Sequence, residues 1–394
     1  MRPLSTLACL SLLLTQLGAN PASAEPATSD APAATSNEAA LPDVALSAHR
    51  RETPIEQITG SVTVIGRAEI ERRGWRTLTD VLNEVPGLQV VQAGGLGAQT
   101  SIFTRGTESD HTLILIDGIE VGDPSIPGGV FDPSHMLTIG IERVEILRGP
   151  QATMYGSDAL GGVIQVVSRT GRGPTRANAW AEAGGFNTLQ QAVGVRGGDR
   201  AFDYSLDYSN LSTSGISTVG KRLGGREDDG YGNRTLSARF GSEVADGIGF
   251  TVLGRLVDSD RDLDPFVEDR DARETSRQLY ARAEGRLSLF DGIWQQKLGI
   301  AITDHDRKLS NDADDVSART EKSTWDGSRL KLDWIHHLQL VADQTTTFGF
   351  ETKRETIRAR GDSFNPATLD ASMTRTHASG RSSAAFVQQQ FTCG

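Results

Sequence analysis

Carboxylates are the residues here with the clearest capacity for chemistry, and they gather in two stretches. Glu227, Asp228 and Asp229 stand together, while Asp258, Asp260, Asp262 and Asp264 alternate, with Glu268 and Asp269 close behind. Clustered carboxylate oxygens repel one another unless water solvates them or a hard cation bridges them, and Ca²⁺ takes 6–8 oxygens. On the residues alone both readings stand, a solvated acidic loop or a calcium site. An EF-hand is excluded, because Leu263 occupies the sixth place of a loop that starts at Asp258, where that motif requires glycine. His111, His135, His305, His336 and His337 show no recurring spacing to a carboxylate, and no nucleophile–base pair stands out, so the chain does not read as an enzyme. Gly94-Gly95-Leu96-Gly97 lacks the spacing and following helix of a dinucleotide fingerprint.

Composition narrows the class. Of 394 residues, 40 are Lys or Arg and 51 are Asp or Glu, a net charge of −11 that disfavours nucleic acid as a partner. Forty-three glycines against 37% hydrophobic residues fit a turn-rich β protein. Past residue 20 no apolar run approaches the ~20 residues of a transmembrane helix, so a membrane could be crossed only by a barrel. Residues 1–24 read as a signal peptide, with Arg2 in the n-region and Ala22-Ser23-Ala24 as the cleavage site. Cys9 falls in that leader and leaves Cys393 alone, which excludes a disulfide framework or a thiolate metal site. Residues 25–42 are an aperiodic Ala/Pro/Ser/Thr linker, expected to be disordered.

The elements that must position the acidic stretches follow from periodicity. Past Arg172, apolar and polar residues alternate, as over 202–208 and 279–289, and period two gives one apolar and one polar face. About ten strands centre near residues 180, 192, 206, 238, 253, 283, 298, 332, 350 and 387. Short turns at Gly197-Gly198-Asp199, Asp246-Gly247, Phe290-Asp291-Gly292 and Ala342-Asp343 alternate with long loops at 210–233, 258–275, 304–323 and 358–380. That asymmetry marks an outer-membrane barrel; a soluble sandwich shares the period but not the alternating loop lengths. Arg282, Glu284 and Arg286 should then face the lumen, since Arg or Lys against lipid costs about 2–4 kcal/mol at the midplane. Residues 172–394 are thus expected to form part of an all-β transmembrane antiparallel barrel.

Residues 55–170 instead mix short helices and strands, an α+β domain. Leu78, Val81, Leu82 and Val85 predict a helix over 77–88, stopped by Pro86-Gly87. Strands are expected at 111–118, 143–147 and 162–168, the first closing in Asp117-Gly118. Gly106, Gly118, Gly149, Gly156, Gly161 and Gly162 read as backbone requirements of turns.

Three motifs in this domain resemble the plug domain of TonB-dependent outer-membrane receptors. They are Leu78-Thr79-Asp80-Val81-Leu82-Asn83-Glu84-Val85-Pro86-Gly87-Leu88; Ile102-Phe103-Thr104-Arg105-Gly106 followed by Leu113-Ile114-Leu115-Ile116-Asp117-Gly118; and Ile141-Glu142-Arg143-Val144-Glu145-Ile146-Leu147-Arg148-Gly149-Pro150, running on to Tyr155-Gly156-Ser157-Asp158-Ala159-Leu160-Gly161-Gly162. Ser101-Ile102-Phe103-Thr104-Arg105-Gly106-Thr107 and Tyr155-Gly156-Ser157-Asp158-Ala159 are most similar to the vitamin B12 (cobalamin) transporter branch. The resemblance implies that Asp43, Val44, Ala45, Leu46, Ser47 and Ala48 are a TonB box, a strip that adds as a strand to TonB of the inner-membrane energising complex. It implies substrate contacts from two apical plug loops, through Leu96, Gly97, Ala98, Gln99, Thr100 and Ser101 and through Asp123, Pro124 and Ser125. It implies plug–barrel ion pairs for Arg105, Arg143 and Arg148, and structural roles in the plug for Asp117, Glu145 and the glycines above. Asp229 and Asp258 resemble calcium ligands of that branch, so that Glu227, Asp229, Asp258 and Asp264 form the candidate calcium set.

The implied function is energised import of a scarce, large nutrient across the bacterial outer membrane. Cobalamin is the first expectation and a ferric siderophore or haem the alternative, with outer-membrane lipid around the barrel. A non-transporting binding protein, or a non-functional truncated product, is the reading from another class. Plugged transporters have about 22 strands, so ten strands are expected to be a fragment of a longer receptor, a plug beside an incomplete, curved sheet.

Overall fold

Order along the chain separates two textures, as periodicity requires. The computed structural model describes residues 44–45, 53–55, 58, 60–219, 228–263, 271–314, 319–341, 343–366 and 368–391. The expected leader and linker lie outside them, as do Asp43, Leu46, Ser47 and Ala48 of the box. Val44–Ala45 form a short strand β1, paired antiparallel with β2 (Thr53–Pro54).

The α+β domain follows: β3 (Ser61–Gly66), α1 (Arg67–Arg73), α2 (Leu78–Asn83), β4 (Leu88–Gln92), β5 (Thr100–Thr104), β6 (Thr112–Ile116), β7 (Ile119–Glu120), β8 (Ile141–Arg148), α3 (Ala152–Tyr155) and β9 (Gly162–Ser168). Five strands make one mixed sheet in the order β3-β8-β9-β6-β7, in which β6 and β9 run parallel, while β4 and β5 form a separate antiparallel pair. Leu78, Val81 and Leu82 turn inward from α2 onto Ile116, Val144 and Ile164 of the sheet, all within one buried cluster. Thr77 caps α2 reciprocally: its Oγ1 accepts from Asp80 N (3.1 Å) and its own N donates to Asp80 Oδ2 (2.9 Å). The helix is shorter than the 77–88 expected. Pro86 has no N–H, Gly87 takes φ 86°, and Leu88 is recruited into β4 opposite Thr104. Gly162 cannot be replaced freely, since a Cβ there would stand 2.5 Å from the Leu147 carbonyl oxygen of β8.

Ten long strands make the wall: β10 (Gly173–Ala183), β11 (Leu189–Gly198), β12 (Phe202–Ile216), β13 (Asp229–Ala245), β14 (Ile248–Asp262), β15 (Arg273–Leu289), β16 (Trp294–Asn311), β17 (Thr320–Val341), β18 (Gln344–Asn365) and β19 (Asp370–Phe391). Each pairs antiparallel with its sequence neighbours, and the order is open, with β10 and β19 as its edges. All ten expected centres fall in strands. The long loops do not have the expected extent, because the strands run on into them: β18 and β19 are separated by 366–369 rather than 358–380. Twenty-two residues extend about 73 Å, far beyond the 9–11 that cross hydrocarbon. Beyond the lipid the outward face no longer needs apolar residues, so the alternation fades while the backbone ladder continues.

The two faces are inverted relative to a soluble sheet. Leu298, Ile300, Ile302, Leu330, Leu332 and Trp334 are exposed on the outer face, whereas Thr303, His305, Arg329, Lys331 and Asp333 are buried on the inner one. Arg282 lies inward as expected, with Nη1 and Nη2 donating to the two Asp333 carboxylate oxygens at 2.6 and 2.8 Å. Ile300→Arg is expected to cost about 2–4 kcal/mol in a lipid-vesicle unfolding titration; a loss below about 0.5 kcal/mol would contradict a lipid-facing Ile300.

Candidate functional site

The inner face of the wall holds the α+β domain through polar contacts spread from β12 to β18. On β12, Ser205 Oγ donates to Arg169 O (2.8 Å), and Asp207 pairs with the Arg169 guanidinium (3.6 Å). On β13, Asn233 Nδ2 donates to His135 O (3.0 Å). Arg255 of β14 donates to Ile139 O and Leu137 O at 3.0 and 2.5 Å. On β16, Thr303 Oγ1 donates to Glu120 O (2.6 Å).

Glu120, at the end of β7, is the hub. Its Oε1 accepts from Lys331 Nζ (2.6 Å) and its Oε2 from Lys353 Nζ (3.1 Å), with Arg329 Nε at 3.7 Å. Glu351 and Glu355 extend the network on Lys331 (3.0 Å) and Arg329 (2.6 Å), and Asp158 stands 3.8 Å from Lys353, so three cations face four carboxylates. Burial alone would raise the Glu120 carboxyl, but Lys331, Lys353 and Arg329 outweigh it and hold it well below the ordinary carboxylate range. Sequence reasoning missed this cluster. Its signal was a lone acid in the apolar run Ile119-Glu120-Val121, together with lysines at inward-phase positions of two strands.

Both expected apical loops lie at the end of the wall where the longer connections emerge. Gly97 fits against the Tyr231 ring, and Arg261 Nη1 donates to Gly97 O (3.1 Å). Leu96 and Gln99 are exposed, Ala98 and Ser101 half-buried and Gly97 and Thr100 buried, Thr100 and Ser101 being drawn into β5. In the second loop Asp123 and Pro124 are buried against β16 and β17. Asp123 Oδ1 accepts from Ser125 N and Oγ, both at 2.7 Å. Asp123 therefore shapes its own loop, and Ser125 is the half-buried member of the trio.

Beneath the first loop, Asp132 Oδ1 accepts from Thr100 N (3.1 Å) and Ser134 N (2.9 Å). His135 Nδ1 lies 3.1 Å from the Tyr231 hydroxyl, which also accepts from Asn233 Nδ2 (2.9 Å). Burial holds His135 neutral, pushing its imidazole down to about 4, and Arg261 adds to the effect.

Other expectations are corrected. Arg143 Nε donates to Glu145 (2.8 Å), and Arg148 donates to Pro86 O and to Thr63 Oγ1 (2.8 Å). These two arginines thus find partners inside the domain rather than across to the wall. Arg105 and Asp117 take positive φ (53° and 47°) beside Gly106 and Gly118, and Gly149 and Gly156 do likewise, as turn residues. The register also separates Asp229 from Asp258. Asp229 shares the inner face of Tyr231 and Asn233, and its Oδ2 accepts from Thr218 N (2.6 Å). Asp258 lies on the outer face opposite Arg234, pairing with Arg277 (3.5 Å). Five registers, about 16 Å along the strand, stand between them, so one calcium ion cannot join both in this arrangement. Glu227 and Asp264 lie outside the described residues.

An α+β domain seated on the polar face of an outward-apolar strand meander is the arrangement of a plugged β-barrel receptor. Residues 54–163 match the family described as "TonB-dependent Receptor Plug Domain". The chain is 28% identical over 327 residues to "Vitamin B12 transporter BtuB" of Photobacterium profundum, covering 81% of this chain and 51% of that protein. The same protein of Vibrio vulnificus matches at 28% over 334 residues, with the same coverage. Among solved structures, the ferripyoverdine receptor of the outer membrane of Pseudomonas aeruginosa superposes with TM-score 0.69 at 12% identity, over 88% of this chain and 52% of that one. The ferric yersiniabactin uptake receptor FyuA of Yersinia pestis gives 0.59 at 13%, over 83% and 62%. Residues 54–163 thus carry the plug domain of TonB-dependent receptors; the chain is related to the vitamin B12 transporters and spans about half the length of those it matches.

Glu120→Gln removes the shared carboxylate from a buried cation cluster and is expected to loosen the plug by on the order of 3 kcal/mol. Faster proteolysis of the plug, with the wall intact, is the measurement. Acid should act through His135 before Glu120. The unfolded histidine takes up a proton near pH 6.5 and the folded one only near 4, so stability is full above 6.5 and falls as pH drops to 4. The fall is on the order of 3 kcal/mol. His135→Gln should flatten that slope, while the Glu120 contribution, whose folded carboxyl is lowered, is full above the ordinary carboxylate range and is lost as pH falls through that range and below it.

Proposed function

We propose that this receptor serves TonB-driven import of cobalamin across the bacterial outer membrane. The observation that carries the reading is the match to the B12 transporters over 81% of the chain, through both plug and wall. Geometry supports it. The loops at 96–101 and 122–129 stand where the longer connections emerge, a place where a ligand would meet plug and wall together. At the chain's other extreme, Val44–Ala45 is held by only two paired residues, Thr53 and Pro54. So short a pairing is readily exchanged for a strand of TonB. The likeness to siderophore receptors, at 12–13% identity, supports the fold alone.

The receptor as isolated from outer membranes is expected to bind cyanocobalamin and not ferric siderophores or haem. Binding of a ferric chelate in place of cyanocobalamin would overturn the ligand. Deleting residues 43–48 should abolish uptake while leaving binding unchanged; uptake that survives the deletion would end the TonB-driven reading.

A further inference from the structure

Away from the plug, the outward face of β18 and β19 carries a concentration of arginine unlike the rest of the wall. Lys353 reaches inward to Glu120 at 3.1 Å, so its neighbours on β18 point outward. Arg381 Nε donates to Thr352 Oγ1 (3.3 Å), which fixes the outer face of β19. Register then sets Arg354 opposite Arg381, Arg358 opposite His377 and Arg360 opposite Arg375. Two carboxylates share this face: Asp362, bonded to Arg360 Nε at 2.6 Å, and Asp326, opposite Arg358 on β17. Arg354, Arg358 and Arg375 have no ion-pair partner among the described residues.

Like charges directly opposite in a ladder repel. In the row beside it Arg234, Asp258, Arg277 and Asp306 alternate in sign across β13, β14, β15 and β16, and the like pair there, Asp306 opposite Asp326, is acidic rather than basic. The patch also has a definite height. Below it the outer face carries Phe348, Phe350 and Val387, flanked by the hydrogen-bonded polar pairs Thr346–Gln389 and Thr352–Ser383, and no charged side chain among the described residues. Arg354 stands ten residues from Gln344, where β18 leaves its short turn, and Arg381 ten from Phe391. At about 3.3 Å per residue and a tilt near 45°, ten residues rise about 23 Å, close to the ~25 Å apolar band of such barrels. Arg358, Arg360 and Arg375 follow within the next ~10–15 Å, where headgroups lie.

We propose that this face binds a lipid of the surrounding leaflet whose headgroup carries phosphate, the guanidiniums of Arg354, Arg358, Arg375 and Arg381 closing on its oxygens. Paired guanidiniums suit phosphate because each offers a planar fork of donors. Phosphate supplies the negative charge that Asp326 and Asp362 leave short against the arginines of β18 and β19. The proposal rests on the reading that the sheet crosses a bilayer.

The test reconstitutes the receptor in phosphatidylcholine vesicles doped with phosphatidic acid. Flotation reads insertion, and native mass spectrometry of the re-extracted protein reads retained phosphatidic acid. Wild type is expected to retain phosphatidic acid over phosphatidylcholine, and R354Q/R358Q/R375Q to lose that preference, by roughly fivefold per arginine removed. R234Q/R277Q, which removes arginines from a row that alternates in sign, is expected to keep it. Equal retention by wild type and the triple variant, with both floating, would overturn the proposal alone. Failure of wild type to float would overturn the bilayer reading and this one with it.

Discussion

A wall that gives its apolar side to lipid has only a polar side with which to hold a domain. That constraint shapes the contacts between plug and strands. Serine, threonine and asparagine side chains reach plug carbonyls, and charges meet in networks rather than in isolated pairs, since a buried charge without a partner is costly. Small apolar exceptions exist: Leu253, Tyr280 and Ala301 of the wall join the plug's buried cluster. An interface dominated by hydrogen bonds and ion pairs has a further property. Its groups are nearly as well satisfied by water as by each other, so the two parts can separate without exposing a large hydrophobic surface.

Much of this was legible in the sequence because lipid imposes a rule that a chain must obey residue by residue. Period two located all ten strands and put Arg282 on the inner face. The rule holds only where lipid is, which is why the long-loop ends were misplaced: outside the bilayer, 358–380 keeps its backbone ladder without the apolar alternation. In the plug, Leu78, Val81 and Leu82 marked the helix, but its end depended on a tertiary partner, the pairing of Leu88 with Thr104.

The charged contacts were the least legible. Arg143 and Arg148 looked like links to the wall and instead serve the plug, while Glu120, Lys331 and Lys353 made the link unnoticed. Pairing of charges far apart in sequence follows from how two units dock, and no local pattern encodes that. Asp229 and Asp258 teach the same lesson in one dimension. Both sit beside loops at one end of a hairpin, yet strand phase sends them to opposite faces.

Strand order in the plug gives it a mechanical polarity. In β3-β8-β9-β6-β7, the strand nearest the N-terminus is one margin of the sheet and the strand carrying Glu120 is the other. Tension arriving through the segment before Ser61 meets a single ladder, the six residues that β3 shares with β8. The opposite margin is meanwhile clamped to β16, β17 and β18. A pull from that side peels a flap from a sheet whose far edge stays pinned, so the first thing to yield is a seam inside the plug rather than its mooring.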